Sequence, residues 1–140
     1  MSFVVDNSVV IGWYFESQAT PYTDKVLDLL ANETAHVPAL WVLEFSNVLR
    51  KALKAGKTDT ARTQEIIALV NALPISVDYT SERVENSLAL ALQYGLTSYD
   101  AAYLGLAIRL QLPIATNDVA LKEAAGRAGI GIVTPQPAEK

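Results

Sequence analysis

The chain has no cysteine, which excludes disulfides, thiolate nucleophiles and cysteine-ligated zinc or iron–sulfur centres. It has one histidine, His36, so multi-histidine metal sites and nearly all Ser-His-Asp chemistry drop out as well. His36 stands beside Val37-Pro38 in a short strand signal and is read as structural. No apolar run approaches the roughly 20 residues that a membrane span needs, and no basic region precedes the short apolar run at the N-terminus. A cytoplasmic protein with no membrane association is therefore expected. Positive charge is also scarce: 11 Lys and Arg face 15 Asp and Glu, for a net charge of −4. That balance argues against binding nucleic acid by bulk electrostatics. It does not exclude a nuclease, whose carboxylates count as free charges here but hold cations in use.

What is present is a compact α/β pattern. The 140 residues are 51% hydrophobic, enough for one core and one domain, expected over residues 1–134 with a polar, proline-containing tail at 135–140. Phe3-Val4-Val5 is a short apolar strand running into Asp6-Asn7-Ser8, a turn and helix-cap triplet. Val9 to Phe15 reads as a short buried helix. Pro21 opens a second helix closing near Asn32, and His36-Val37-Pro38 is a second strand. The best-defined helix runs from about Leu40 to Ala55, with the stripe Trp41, Phe45, Val48, Leu49 and Ala52 and a stop at Gly56. Thr58 or Asp59 caps a helix reaching Leu73, and Ile75 to Val77 is a third strand. Ser81 opens a helix over Glu82 to Tyr94, which Gly95 stops. A helix to about Gln111 follows, then a strand over Leu112 to Thr116, a helix from Val119 to Ala128 and a last strand over Ile130 to Val133. Short strands alternating with helices mean an α/β sandwich with a parallel sheet.

The organising stretch is Thr97 to Ala107. Thr97-x-x-Asp100 has capping-box spacing, and the residues behind it are apolar on nearly every side, which predicts a helix sunk in the core. Asp100 then sits at the positive end of that helix, where an acid is worth a few tenths of a kcal/mol to about 1 kcal/mol for the dipole alone. Three other acids have similarly modest explanations when taken singly. Asp6 at the end of the first strand fits an Asx-turn or cap, and Asp118 fits an N-cap. Glu44 shares a helix face with Asn47 and Lys51 and fits a solvated pair. Taken together they read differently, because right-handed crossovers bring such points to one end of a parallel sheet, where ligands bind. Four carboxylates there would repel, and their pKa values would rise unless cations neutralised them. Hard oxygen donors without His or Cys select Mg²⁺ or Mn²⁺ over zinc. One or two such ions in an acidic cluster are the apparatus for attack of water on a phosphodiester.

Four segments carry a resemblance: Val4-Val5-Asp6-Asn7-Ser8, Pro38-Ala39-Leu40-Trp41-Val42-Leu43-Glu44, Leu96-Thr97-Ser98-Tyr99-Asp100-Ala101-Ala102-Tyr103-Leu104, and Ala115-Thr116-Asn117-Asp118-Val119-Ala120-Leu121. In that order they resemble the PIN-domain ribonucleases, and specifically the VapC toxins of bacterial and archaeal toxin–antitoxin pairs. The resemblance implies a PIN-like three-layer α/β/α sandwich with a short-stranded parallel sheet. It implies a Mg²⁺- or Mn²⁺-dependent endoribonuclease in which Asp6, Glu44, Asp100 and Asp118 are the catalytic and metal-binding quartet. Ser8, Thr116 and Asn117 become polar pocket residues. Asn7 departs from the pattern, since the family often has a small residue there. Implied partners are the RNA substrate, a cognate antitoxin and a second copy of the chain, with apolar surface for protein partners between Pro21 and Leu73.

Two other readings stay open on the sequence. A receiver-type phosphoacceptor domain would want an acidic pair at the first strand end and a Lys after the last strand. Here Asn7 follows Asp6, and Lys122 falls inside a helix. A PIN-like fold kept as a binding or scaffold module without activity is the other. The basic residues Arg50, Lys51, Lys54, Lys57 and Arg62 form a ridge after Glu44 that reads either as solvated surface or as an RNA-steering face, with Lys51 near substrate phosphate.

Overall fold

A computed structural model describes residues 2–135, so the expected tail lies outside the described residues from 136 onward. Four parallel strands, β1 (Ser2–Val5), β2 (Thr34–Pro38), β3 (Ile75–Asp78) and β4 (Ile114–Ala115), form one sheet in the order β3-β2-β1-β4. The central strand β1 has no polar alternation: Phe3, Val4 and Val5 are all buried, as a strand covered on both faces requires. His36 sits half-buried in the middle of β2, level with Val4 on one side and Ser76 on the other. The strand order differs from the 2-1-3-4-5 order of receiver-type sheets, which removes that reading.

The helices are α1 (Asn7–Tyr14), α2 (Pro21–Leu29), α3 (Leu40–Lys54), α4 (Thr60–Ala72), α5 (Val84–Tyr94), α6 (Ser98–Leu110) and α7 (Val119–Arg127). The fold is the expected α/β sandwich. In α3 the predicted stripe is buried at Trp41, Phe45, Leu49 and Ala52, with Val48 half-buried at its margin. Trp41 stacks on Phe45 at 5.5 Å between ring centres, and Tyr14 of α1 meets the same Phe45 edge-on. Helix α1 crosses α2 closely because residue 12 is glycine: a Cβ there would lie 2.8 Å from Thr23 Cγ2 and 2.9 Å from the Gln18 carbonyl.

Helix α6 lies over β1, β2 and β4, and α5 packs on its other side. Thr97 Oγ1 accepts the Asp100 N–H at 3.1 Å, so one arm of the expected capping box is built. Ala101, Tyr103, Leu104, Leu106 and Ala107 are buried, but the helix is not enclosed all round. Tyr99 is 66% exposed and Ile108 38%, because α5 covers only part of the outer side.

Three further expectations change at the element ends. Helix α5 begins at Val84 rather than Glu82, with Arg83 in place of Ser81 at its start and no side-chain cap. Upstream, Asp78 Oδ1 takes the Thr80 N–H at 2.9 Å and turns the chain before a helix can begin. The fourth strand shrinks to two residues behind Pro113. The last strand, expected over Ile130 to Val133, is reduced to a single bridge between Ile114 and Ile132, since β4 offers it only Ile114. Among the described residues no helix is long and apolar enough to cross a membrane.

Leu104 is fully buried where α6 meets the sheet. Leu104→Ala is expected to lower unfolding free energy by about 2–5 kcal/mol with an unchanged denaturant slope, measured by urea titration. A loss under 1 kcal/mol would mean that α6 is not the central packing helix.

Candidate active site

The four acids that the sequence singles out come from four elements and meet at the carboxyl end of the sheet. Asp6 directly follows β1 and stands at the N-cap position of α1, yet its side chain caps nothing. Its Oδ2 instead accepts two hydroxyls, Ser8 Oγ at 2.7 Å and Thr116 Oγ1 at 2.8 Å. Thr116 follows β4, is wholly buried, and also accepts the Asp118 N–H at 2.9 Å. The Ser8 hydroxyl takes the Asn117 N–H at 3.1 Å, and the Asn117 amide reaches the Ser8 carbonyl at 3.4 Å. The loops after the two adjacent strands are thereby stitched together, with Ser8, Thr116 and Asn117 as the thread.

Asp118 keeps its modest explanation, since Oδ2 accepts the Leu121 N–H at 2.8 Å as an N-cap of α7. The cap commits that oxygen, while the Asp118 charge acts on Asp6 and Asp100. Glu44 projects from the second turn of α3 and accepts the Tyr103 hydroxyl at 2.6 Å. Tyr103 was not a site candidate on sequence. A clue was available in its position three residues after Asp100 within an apolar helix, because a buried tyrosine hydroxyl needs a partner.

Burial is the main cause that lifts the pKa values of Asp6, Glu44 and Asp100 above the ordinary carboxyl range. For Asp6, the Ser8 and Thr116 hydroxyls and the Asn7 N–H pull back, while the Asp118 charge adds to the rise. Glu44 is lifted further by Asp6 and Asp100, and Asp100 by Asp118 and Asp6. Burial and the Glu44 carboxylate push the Tyr103 hydroxyl strongly up, so it stays protonated and donates. Asp6, Glu44 and Asp100 are thus each raised by the charge of at least one other acid of the set, and among the described residues no Lys or Arg is bonded to any of the four.

Among the described residues no group of three Asp, Glu or His side chains stands ready as a metal cage. The expected convergence is looser than ligation, and Asp6, Glu44 and Asp118 each accept a bond from a protein donor. The donor chemistry nevertheless fits a hard divalent cation: only oxygens, raised pKa values and an unneutralised mutual repulsion. Lys51 is exposed and two turns beyond Glu44 on α3, about 10 Å along the axis, so it does not join the cluster through the helix alone. The rest of the basic ridge is partly engaged elsewhere, with Arg50 Nε on Asn47 at 3.0 Å and Arg62 on Glu65 at 3.0 Å.

Repulsion has a thermodynamic sign. A carboxyl whose folded pKa exceeds its unfolded value of 3.8 holds protons that the unfolded chain releases. Its contribution to stability falls as pH rises from that unfolded value through the raised folded one. Asp100→Asn is expected to raise the melting temperature at pH 7 and to move the Glu44 and Asp6 titrations back toward ordinary values, read by carboxyl NMR. If both titrations stay put, the acids are not one electrostatic unit.

Residues 3–127 match the profile of the PIN domain. The chain is 29% identical over 127 residues to Ribonuclease VapC3 of Pyrobaculum aerophilum, an alignment covering 88% of this chain and 94% of the relative. Its fold is similar to that of a toxin–antitoxin complex from Klebsiella pneumoniae, with a TM-score of 0.64 and 20% identity over 97% of this chain and 99% of that one. It is similar also to VapBC2 from Rickettsia felis bound to a DNA fragment from their promoter, with a TM-score of 0.65 and 15% identity over 95% and 98% of the two chains. A match over this span, on a parallel sheet with acids gathered at its carboxyl edge, makes the chain a member of the PIN-domain family.

Proposed function

We propose that the protein is a divalent-metal-dependent endoribonuclease, the toxin of a toxin–antitoxin pair, hydrolysing RNA phosphodiesters at Asp6, Glu44, Asp100 and Asp118. The observation that carries this reading is a set of carboxylates at one end of the sheet, raised by burial and by one another's charge, without a cationic partner among the described residues. Asp6, Asp100, Asp118 and Glu44 would hold one or two Mg²⁺ or Mn²⁺ ions. When bound, such an ion supplies activation of water and neutralisation of charge on the phosphodiester.

The chain's own residues supply position. Ser8 and Thr116 both donate to Oδ2 and so fix the Asp6 carboxylate from one side. Tyr103 holds Glu44 by a single hydrogen bond to Oε1 and, being neutral, does not cancel its charge. Asn117 closes the loop behind Ser8, and Lys51 is placed to attract RNA phosphate at the outer margin. Asp6→Asn and Asp100→Asn are each expected to cut RNA hydrolysis by about 10³-fold, with 5′-phosphate ends on the downstream fragments and full loss in EDTA. Wild-type RNA hydrolysis that persists in EDTA, or in Asp100→Asn, would sink the reading. RNA binding without hydrolysis would leave the scaffold alternative.

Protein partners are part of the same proposal. The relatives named above include toxin–antitoxin assemblies. In this chain α3 and α4 flank an apolar groove of about 580 Å³ lined by Trp41, Phe45, Leu49, Ile67 and Val70, which suits an antitoxin segment. Leu43, Val84, Leu88 and Leu92 are exposed at 73%, 82%, 53% and 73%, which suits a homodimer. Leu88→Asp with Leu92→Asp is expected to convert the dimer to monomer in light scattering while leaving the fold intact by circular dichroism. A wild type that is monomeric at 100-fold the working concentration would remove the dimer from the proposal.

A further inference from the structure

A second cleft, of about 370 Å³, runs along α6 from Ser98 to Arg109, between that helix, α5 and the carboxyl ends of β2 and β3, and its Ser98 end lies next to Asp100. None of the four carboxylates lines it, but two of its walls carry Asp100 and Glu44. Ser98 and Tyr99 border the cleft, and Asp100 is the next residue, turned about 100° round the same helix. Leu40 borders it from the start of α3, one turn before Glu44.

The lining is of two kinds. Leu90, Ala102 and the buried Leu106 give an apolar floor, while Asn86, Ser87 and Ser98 bring hydrogen-bonding groups. Tyr99 stands at the mouth, 66% exposed, with no hydrogen bond or ring partner among the described residues. Arg109 is clamped on Asp78 by two bonds of 3.1 and 3.2 Å, and that guanidinium holds the Asp78 carboxyl down at about 2. The pair uses two of the five Arg109 N–H groups and leaves a fixed planar surface.

Charge decides what enters. Asp78 and Glu82 against Arg109 leave the lining without a net positive charge, so a phosphate is disfavoured. A flat, neutral group with apolar faces and polar edges is favoured, and the volume lies in the range of small-ligand pockets, about 300–1,000 Å³. An unpaired nucleobase has that form, and proteins read such bases by aromatic stacking with hydrogen bonds at the edges. We propose that this cleft is a subsite for one unpaired nucleobase of the RNA strand, seated next to the phosphodiester at the acidic cluster, with Tyr99 as the stacking surface and Asn86 and Ser98 at the base edge. The proposal rests on the ribonuclease reading for its strand, though the cleft's ability to take a base can be measured without hydrolysis.

Two variants separate the roles. Tyr99→Ala removes an exposed ring, and Ser87→Trp fills the cleft from the α5 side, where none of Asp6, Glu44, Asp100 and Asp118 lines it. Metal-free protein is titrated with single-stranded RNA pentamers of each base, followed by amide chemical shifts. Shifts are expected at residues 86–87, 98–99 and 109 for at least one base, and both variants should weaken that binding about tenfold, within the range for one stacked base. In parallel, wild type and variants cut an RNA pool randomised at every position, and cut-site sequences are counted. The wild type should show a base preference beside the cut that both variants lose. If the wild type cuts RNA but its preference and pentamer binding persist in both variants, the subsite is wrong and the ribonuclease reading stands. If pentamers bind at the cleft and weaken in both variants but no RNA is cut, the subsite stands and the ribonuclease reading falls.

Discussion

The constraint on which this structure turns is a carboxylate kept out of water without a countercharge. Asp6 is 6% exposed at the end of the central strand, and its partners are two hydroxyls and a backbone N–H, all neutral. Hydroxyl donors orient a carboxylate but neutralise none of its charge, so burial wins and its pKa stays raised. An arginine in the place of Thr116 would satisfy the same oxygen and cancel the charge that the hydroxyls leave uncompensated. The surrounding design follows. Small polar residues occupy the strand ends, Tyr103 rather than a base holds Glu44, and the basic side chains are kept on the outer surface.

Much of the fold was legible because its signals are local. The capped start of α6, the stripe Trp41, Phe45, Leu49 and Ala52, and the buried run Phe3 to Val5 each write a period or a cap directly into the sequence. The failures are tertiary. Ile130 to Val133 has the composition of a strand, but pairing depends on how much edge β4 offers, and β4 is two residues long. Ser81 looks like a cap, but Asp78 bends the chain first. Ile108 looks like core until α5 proves too narrow to cover it.

The candidate site divides in the same way. The positions of Asp6, Glu44, Asp100 and Asp118 at turns and helix starts were visible, but each had a second explanation, and for Asp118 the cap is real. What distinguishes Asp6 from a cap is a pair of bonds, one of them to a residue 110 positions away, which no local pattern encodes. The Tyr103–Glu44 bond spans 59 positions and was equally hidden. Lys51 shows what helical spacing leaves out. Helical spacing puts it on the Glu44 side, but a shared face two turns apart is not proximity.

The bond from Thr116 to Asp6 also sets an order of events for a chain being made. Strand β1 and its acid leave the ribosome first, yet the hydroxyl and the neighbouring strand that shape the pocket come 110 residues later. Synthesis at about 5–20 residues per second separates the two by several seconds or more. A nascent chain carries the first carboxylate from its earliest moments, but its setting is completed only when the C-terminal quarter closes on the N-terminal strand. Premature termination anywhere before residue 116 therefore leaves a fragment with Asp6 and without its pocket.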